Sequence, residues 1–216
     1  MTTASVGRVG KPVKTPKRTR REQAAATRER VIRAAIEVFT EAGYVGTRMT
    51  DIAGRAGVAV QTVYFVFHTK GELLQACFDH AVLGPDGLPP LQQPFIAEIS
   101  VAESGRAALA AFVRGNTAIL SRAAVIKEVA ESAPHEPDAA AVVERSEQRR
   151  RDGLSQVVDQ IAERWGLRPG LKATDATDLL LVLSTSGPFL ELRRYGWSDT
   201  KYAEWLTDAL ARELLD

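Results

Sequence analysis

Cysteine is nearly missing from this chain: Cys77 stands alone among 216 residues. One thiol excludes an internal disulfide and any multi-cysteine zinc site, and it fits a reducing cytoplasm. Long apolar runs are missing too. A membrane span needs about 20 apolar residues, and no run comes near that; Leu179 to Leu183, for one, soon meets Ser184, Gly187 and Pro188. The N-terminus has no apolar core after its basic residues, so neither a secretory signal nor a membrane partner is expected. Catalytic patterns are absent as well: no nucleophile–base pair, phosphate loop, zinc-ligand spacing or paired-carboxylate motif is found. Cys77 with Asp79 and His80 comes nearest, but that spacing does not put all three on one helical face. His135 among Glu131, Glu136 and Asp138 is read as a solvent-facing loop between two prolines. No enzyme activity, metal or cofactor is expected.

Net charge is also scarce, at +1, but it is unevenly placed. Residues 1–30 hold nine Lys/Arg and two Glu, a balance of +7, which leaves −6 for the remainder. A basic end on an otherwise acidic chain suits contact with a polyanion. Met1 to Ala26 is rich in Thr, Gly, Pro and Lys/Arg and has no large apolar residue beyond Val, so it is expected to be disordered. Its cluster of Lys11, Lys14, Lys17, Arg18, Arg20 and Arg21 is either an arm for phosphates and the minor groove or a solubilising tail.

What is present is helical patterning. Thr27 is positioned to cap a first helix in which Ile32, Ala35, Ile36 and Phe39 recur at helical spacing, with Gly43 as its end. Two short helices follow within Met49 to Phe67. Ile52, Ala53 and Ala56 form the buried face of the first, and Gly57 is the break. Val58 plugs the space behind the turn. The second helix begins at Val60, turns Val63 inward and presents Val60, Gln61 and Thr62 at its leading end. Two helices crossing at a short Gly-containing turn make the helix-turn-helix, which places its second helix in the DNA major groove.

Ala35, Phe39, Gly43, Tyr44, Asp51, Ile52, Ala53, Ala56, Gly57, Val58, Thr62, Val63, Tyr64, Phe67, Lys70, Glu72 and Leu73, at these spacings, resemble the signature of the tetracycline-repressor (TetR) family of transcriptional regulators. The resemblance covers roughly a quarter of the chain. It implies an all-α homodimer in two parts: a three-helix N-terminal domain with the helix-turn-helix, over 27–72, and a helical ligand-binding and dimerisation domain, over 73–216. It also implies a palindromic double-stranded operator and a small-molecule effector. The chain departs from the family at Arg48 and Ala59, where Ser or Thr is usual, and at Val66, where His or Tyr is common. Thr47 could take over the capping that Arg48 cannot provide.

Side-chain chemistry assigns the DNA contacts further. Arg48 and Thr50 lie where they can reach a phosphate, with a solvated surface charge as the alternative for Arg48. Gln61 can pair with adenine, and Val60 and Thr62 offer methyl groups to thymine. Tyr64 places a hydroxyl on a phosphate, and Lys70 in the first turn of the next helix, capped by Thr69, is a backbone anchor. Gly71 is read as room for DNA to approach, whereas Phe65 and Phe67 are expected to pack.

Beyond a helix ending near Val82, Gly84 to Pro90 is a dense cluster of helix breakers. Ala107 to Leu120 is helical, and Asn116 interrupts its apolar stripe. That amide either bonds a neighbouring helix or faces a cavity; Asn116, Phe112 and Phe189 are the candidate pocket residues. A long helix from Asp138 to Trp165 is expected to pair Glu147 with Arg151 and to carry Arg149, Arg150 and Arg151 on a solvated face. Thr174 to Tyr195, kinked by Pro188, and Asp199 to Leu215 close the chain. In the family such a pair meets its copy across a two-fold axis; the stripes could equally pack within one subunit. The expected function is a cytoplasmic, ligand-responsive repressor with a largely apolar effector. A ligand-independent nucleoid protein is the alternative, and a cavity among the C-terminal helices would separate the two.

Overall fold

The computed structural model describes residues 19–215. Among them the chain is all helical, with ten α-helices and one 3-10 turn. The first helix, α1 (Arg20–Gly46), is capped by Thr19, eight residues before the Thr27 cap expected from patterning, so the span expected to be disordered is helical from Arg20. The reason is local. Thr19 Oγ1 accepts from the Glu22 N–H, and Glu22 Oε2 accepts from the Thr19 N–H, a reciprocal capping box. Ala24 to Ala26 then extend the helix at little entropic cost. Of the basic cluster, Arg20 and Arg21 ride on α1; Lys11, Lys14, Lys17 and Arg18 lie outside the described residues.

Gly43, at φ 66°, breaks α1 as its missing Cβ permits. Three short helices follow: α2 (Met49–Ala56), α3 (Val60–Val66) and α4 (Lys70–Leu83). Thr47 does not cap α2. Its hydroxyl is turned back onto the carbonyls of Val38 and Gly43, and Arg48 occupies the cap without a side-chain bond. After the breaker cluster come the 3-10 turn Pro90–Gln92, α5 (Pro94–Val101), α6 (Gly105–Glu131), α7 (Pro137–Trp165), α8 (Ala173–Leu183), α9 (Ser186–Arg194) and α10 (Asp199–Leu214).

Two apolar cores form. The first gathers Ile32, Ala35, Phe39, Ile52, Val63, Leu73 and Cys77. The second gathers Leu109, Phe112, Val158, Ile161, Leu180, Tyr202 and Leu206. Helices α6 and α7 belong to both, because Ile126, Val129, Ala139 and Val142 close the first core. Helix α6 meets the length and mean hydropathy (1.2) of a membrane-crossing helix, which a search for unbroken apolar runs passes over. Most of that window, 56%, is buried inside the protein, as in the core helix of a packed domain.

The helix expected from Thr174 to Tyr195 is two helices, not one kinked helix. Pro188 has no N–H to give the Ser184 carbonyl four residues back, and its ring crowds that carbonyl. The chain therefore breaks at Ser184 and Thr185 and restarts as α9. The Ser184 carbonyl instead accepts from Asn116 Nδ2 at 3.1 Å.

Candidate nucleic-acid interface and interior cavity

The turn between α2 and α3 is a Schellman closure. Gly57 sits in the left-handed region at φ 65°, ψ 39°, and its N–H bonds to Gly54 O while the Val58 N–H bonds to Ala53 O. Val58, half-buried, packs its side chain on the first core. This fixes α3 across α2 with Val63 buried beneath it. Arg55 braces the pair from outside through Glu37 (2.9 Å) and Glu41 (2.8 Å) on α1.

What remains outside is the surface that patterning singles out, with two changes. Arg48, Thr50 and Gln61 are exposed, and Tyr64 is half exposed. Val60 and Thr62 are half-buried, Val60 against the first core. Phe65 does not pack: it is 84% exposed, four residues after Gln61 and on the same side of α3. Phe67 does pack, with the Arg28 guanidinium 5.0 Å from its ring.

Lys70 is engaged within the protein. Its ammonium donates to Tyr44 O at 2.8 Å and Thr47 O at 3.4 Å and lies 4.3 Å from the Tyr44 ring centroid. It latches α4 to the end of α1. Thr69 caps α4 as expected, accepting from the Glu72 N–H. Gly71 does not make room for DNA. A Cβ there would lie 2.4 Å from the Asp138 Cβ, so the glycine admits the N-terminal turn of α7. The Tyr44 hydroxyl is pushed up to about 12 by burial and by the charges of Asp138 and Glu136.

A cavity of about 530 Å³ lies among α4, α5, α6 and α7. Phe112 and Asn116 stand on its wall, with Phe78, Phe95, Ile96 and Leu120. Asn116 does both things its position allowed, since it bonds Ser184 O and also faces the cavity. Phe189 is not on the wall; it is fully buried edge-on against Tyr202. The triple arginine is not one solvated face. Arg149 reaches Asp79 at 3.2 Å, Arg151 reaches Asp178 at 2.7 Å, and Arg150 turns into the cavity. Glu147 does not pair with Arg151; it pairs with Lys127 and, at 3.6 Å, with Arg150. Helical spacing alone could have flagged Arg150, which falls in line with Leu154 and Val157 of the inner stripe.

Residues 31–77 match the sequence model for bacterial regulatory proteins of the tetR family. The chain is 30% identical over 139 residues to YezE of Bacillus subtilis (strain 168), an uncharacterized HTH-type transcriptional regulator; the match covers 60% of this chain and 69% of that one. The chain belongs to the TetR family. That family is one of bacterial regulatory proteins. The HTH-type regulator CymR of Pseudomonas putida is 43% identical over 63 residues, 29% of this chain and 31% of its own length. The TetR-family chain thus spans about three tenths of several relatives it matches. Its fold is similar to that of FadR from Bacillus subtilis, solved in complex with stearoyl-CoA, with TM-score 0.67 and 16% identity over 84% of this chain and 96% of that one. Cys77, Asp79 and His80 point apart: Cys77 is buried against Ile32 O, Asp79 meets Arg149, and His80 faces Glu29 at 3.6 Å.

Proposed function

We propose that this protein is a cytoplasmic, dimeric, ligand-responsive repressor that binds a palindromic double-stranded operator. In this reading residues 27–72 read DNA, and residues 73–216 hold the effector and the dimer interface. The observation that carries it is the outer face of α3, where Gln61 and Phe65 stand out from the core on a rigid turn. Gln61 offers both hydrogen bonds that adenine accepts and donates, and Phe65 offers an apolar edge to a thymine methyl. Arg48, Thr50 and Tyr64 flank them for phosphates, Val60 and Thr62 give narrower apolar support, and Lys70 has one ammonium hydrogen left for a phosphate. Two such faces in a two-fold dimer would meet successive major grooves about 34–36 Å apart.

The cavity supports a ligand-responsive regulator over a ligand-free nucleoid protein. It is mostly apolar, in keeping with a largely apolar effector, and the stearoyl-CoA of the FadR neighbour likewise carries a long apolar acyl chain. Its wall is tied to the DNA-reading part. Helix α4 runs from the Lys70 latch to the cavity and is joined to α7 by Arg145 with Gln75 (3.0 Å) and Arg149 with Asp79. An effector releases DNA only to the extent that it binds the released arrangement better.

Selection of bound duplexes from a random pool, followed by affinity measurements over a salt series, tests the reading. Gln61→Ala is expected to relax base choice. Lys70→Ala is expected to weaken all sequences alike and to lower the salt slope by about 1. Parent-like binding by both variants would place the interface elsewhere.

A further inference from the structure

The cavity wall carries two kinds of side chain. Phe78, Val82, Phe95, Ile96, Phe112 and Leu120 are apolar. Among them α4, α6 and α7 bring in Asp79, Lys127, Glu147, Arg149 and Arg150. These are three cations against two carboxylates.

The pairing among them is lopsided. Asp79 Oδ1 is held by Arg149 (3.2 Å) and by Gln75 Nε2 (2.9 Å). Glu147 Oε1 is held by Lys127, which also meets Glu131 at 3.3 Å on its far side. Arg150 is left with the least. Its nearest carboxylate is Glu147, 3.6 Å from Nη1, a long contact, with Glu131 acting from farther off. Nη2 donates to Leu181 O and Ser184 Oγ, both at 3.0 Å, and both are uncharged. Nη1 has only that long contact with Glu147, and Nε makes no hydrogen bond among the described residues. Yet the side chain is only 20% exposed, and burial depresses its pKa.

A guanidinium held in place by neutral acceptors, with donors free beside an apolar chamber, discriminates between ligands. A purely apolar ligand would seal those donors from water without a partner, which is unfavourable. A cationic head would meet the like charge of Arg150, the guanidinium with the weakest pairing. A carboxylate would supply the missing charge and accept the free N–H groups. We infer that the cavity takes an amphiphile with a single anionic head group of the carboxylate kind, its head on Arg150 and its apolar body among Phe78, Phe95 and Phe112. This inference rests on the reading of the cavity as the effector site.

The test is calorimetric titration of the full-length protein with octanoate, 1-octanol and octylamine, at a pH where the acid is ionised. Octanoate is expected to bind about tenfold to a hundredfold more tightly than the other two, the worth of hydrogen bonds to a charged group. Arg150→Gln is expected to erase that preference and leave 1-octanol binding within about twofold, and Arg150→Lys is expected to restore part of it. The preference is read first in the parent chain, so an unstable Arg150 variant does not remove the test. Equal binding of octanoate and 1-octanol, both abolished by Ala123→Trp in the cavity wall, would overturn the anionic head group and leave the effector site standing. An octanoate preference undiminished in Arg150→Gln would overturn Arg150 as the anchor. No binding of any probe, or binding that Ala123→Trp leaves unchanged, would remove the effector-site reading and this inference together.

Discussion

Gly71 lies in the first turn of α4, where most side chains would be tolerated. It is glycine because α7 arrives there: a Cβ would sit 2.4 Å from the Asp138 Cβ and 2.6 Å from its carboxylate. The obstacle is a Cβ fixed to backbone, so it cannot swing aside. Gly71→Ala is expected to cost about 1–3 kcal/mol in urea unfolding, the usual cost of overpacking. Asp138→Gly in the same chain should restore part of it. Loss of DNA affinity by Gly71→Ala with stability unchanged would contradict this account. At Lys70, too, the environment decides the role. A lysine at a helix start is an obvious phosphate anchor, yet two carbonyls and a tyrosine ring already hold its ammonium. Phe65 is the converse: an aromatic that composition assigns to the core stands in solvent, because Val63 and Phe67 already fill the space beneath α3.

Among the elements, the break between α8 and α9 links local chemistry to the cavity. Pro188 orphans the Ser184 carbonyl, Asn116 takes it, and Arg150 holds the Ser184 hydroxyl. Asn116→Leu is expected to destabilise the protein by about 1–3 kcal/mol, because a buried carbonyl loses its donor. Adding Pro188→Ala should recover part of the loss, since an N–H at 188 can serve that carbonyl if α8 runs on into α9. A double-mutant cycle by chemical denaturation measures the coupling; strict additivity of the two changes would refute the link. At the other end of the protein, the α2–α3 turn is legible in the sequence because its chemistry is local: Gly57 is the one residue that closes the turn without strain. The α8–α9 break was legible only in part. Proline announces a break, but where the freed carbonyl finds a donor depends on a helix 68 residues away.

For the whole molecule, α6 and α7 pass through both cores, so the DNA-reading part and the cavity share two continuous helices. On α8, Val182 is 67% exposed, with Leu179 one turn before it. In the dimer reading these face a second copy. Val182→Asp is expected to shift the sedimentation coefficient from dimer to monomer and to abolish tight operator binding with it. A parent-like dimer would move the interface off α8. Two buried tyrosines contribute to the alkaline limit of the fold, beside the Cys77 thiol, which burial also pushes up. Tyr44 is pushed up to about 12 mainly by burial, then by Asp138 and Glu136; Tyr202 is pushed up to about 12 by burial, against the nearby Arg150. Both folded values exceed the unfolded value, so this stability is intact below about pH 10 and lost as pH rises through about 12. Urea midpoints compared at about pH 8 and about pH 11.5 should fall, and Tyr44→Phe with Tyr202→Phe should flatten the fall. An equal fall in parent and double variant would assign alkaline unfolding to other groups.

The sequence by itself determined what local chemistry and short-range periodicity can carry: helices throughout, the helix-turn-helix and its left-handed glycine, the Thr69 cap and the family to which the chain belongs. Only the tertiary structure decided what depends on distant neighbours. It turned Arg150 inward and Phe65 outward, kept Gly71 for α7, gave Glu147 to Lys127 and left Phe189 behind the cavity wall. A helix's own sequence states which residues share a face; which neighbour covers that face, and with what charge, is settled by packing between segments far apart in the chain.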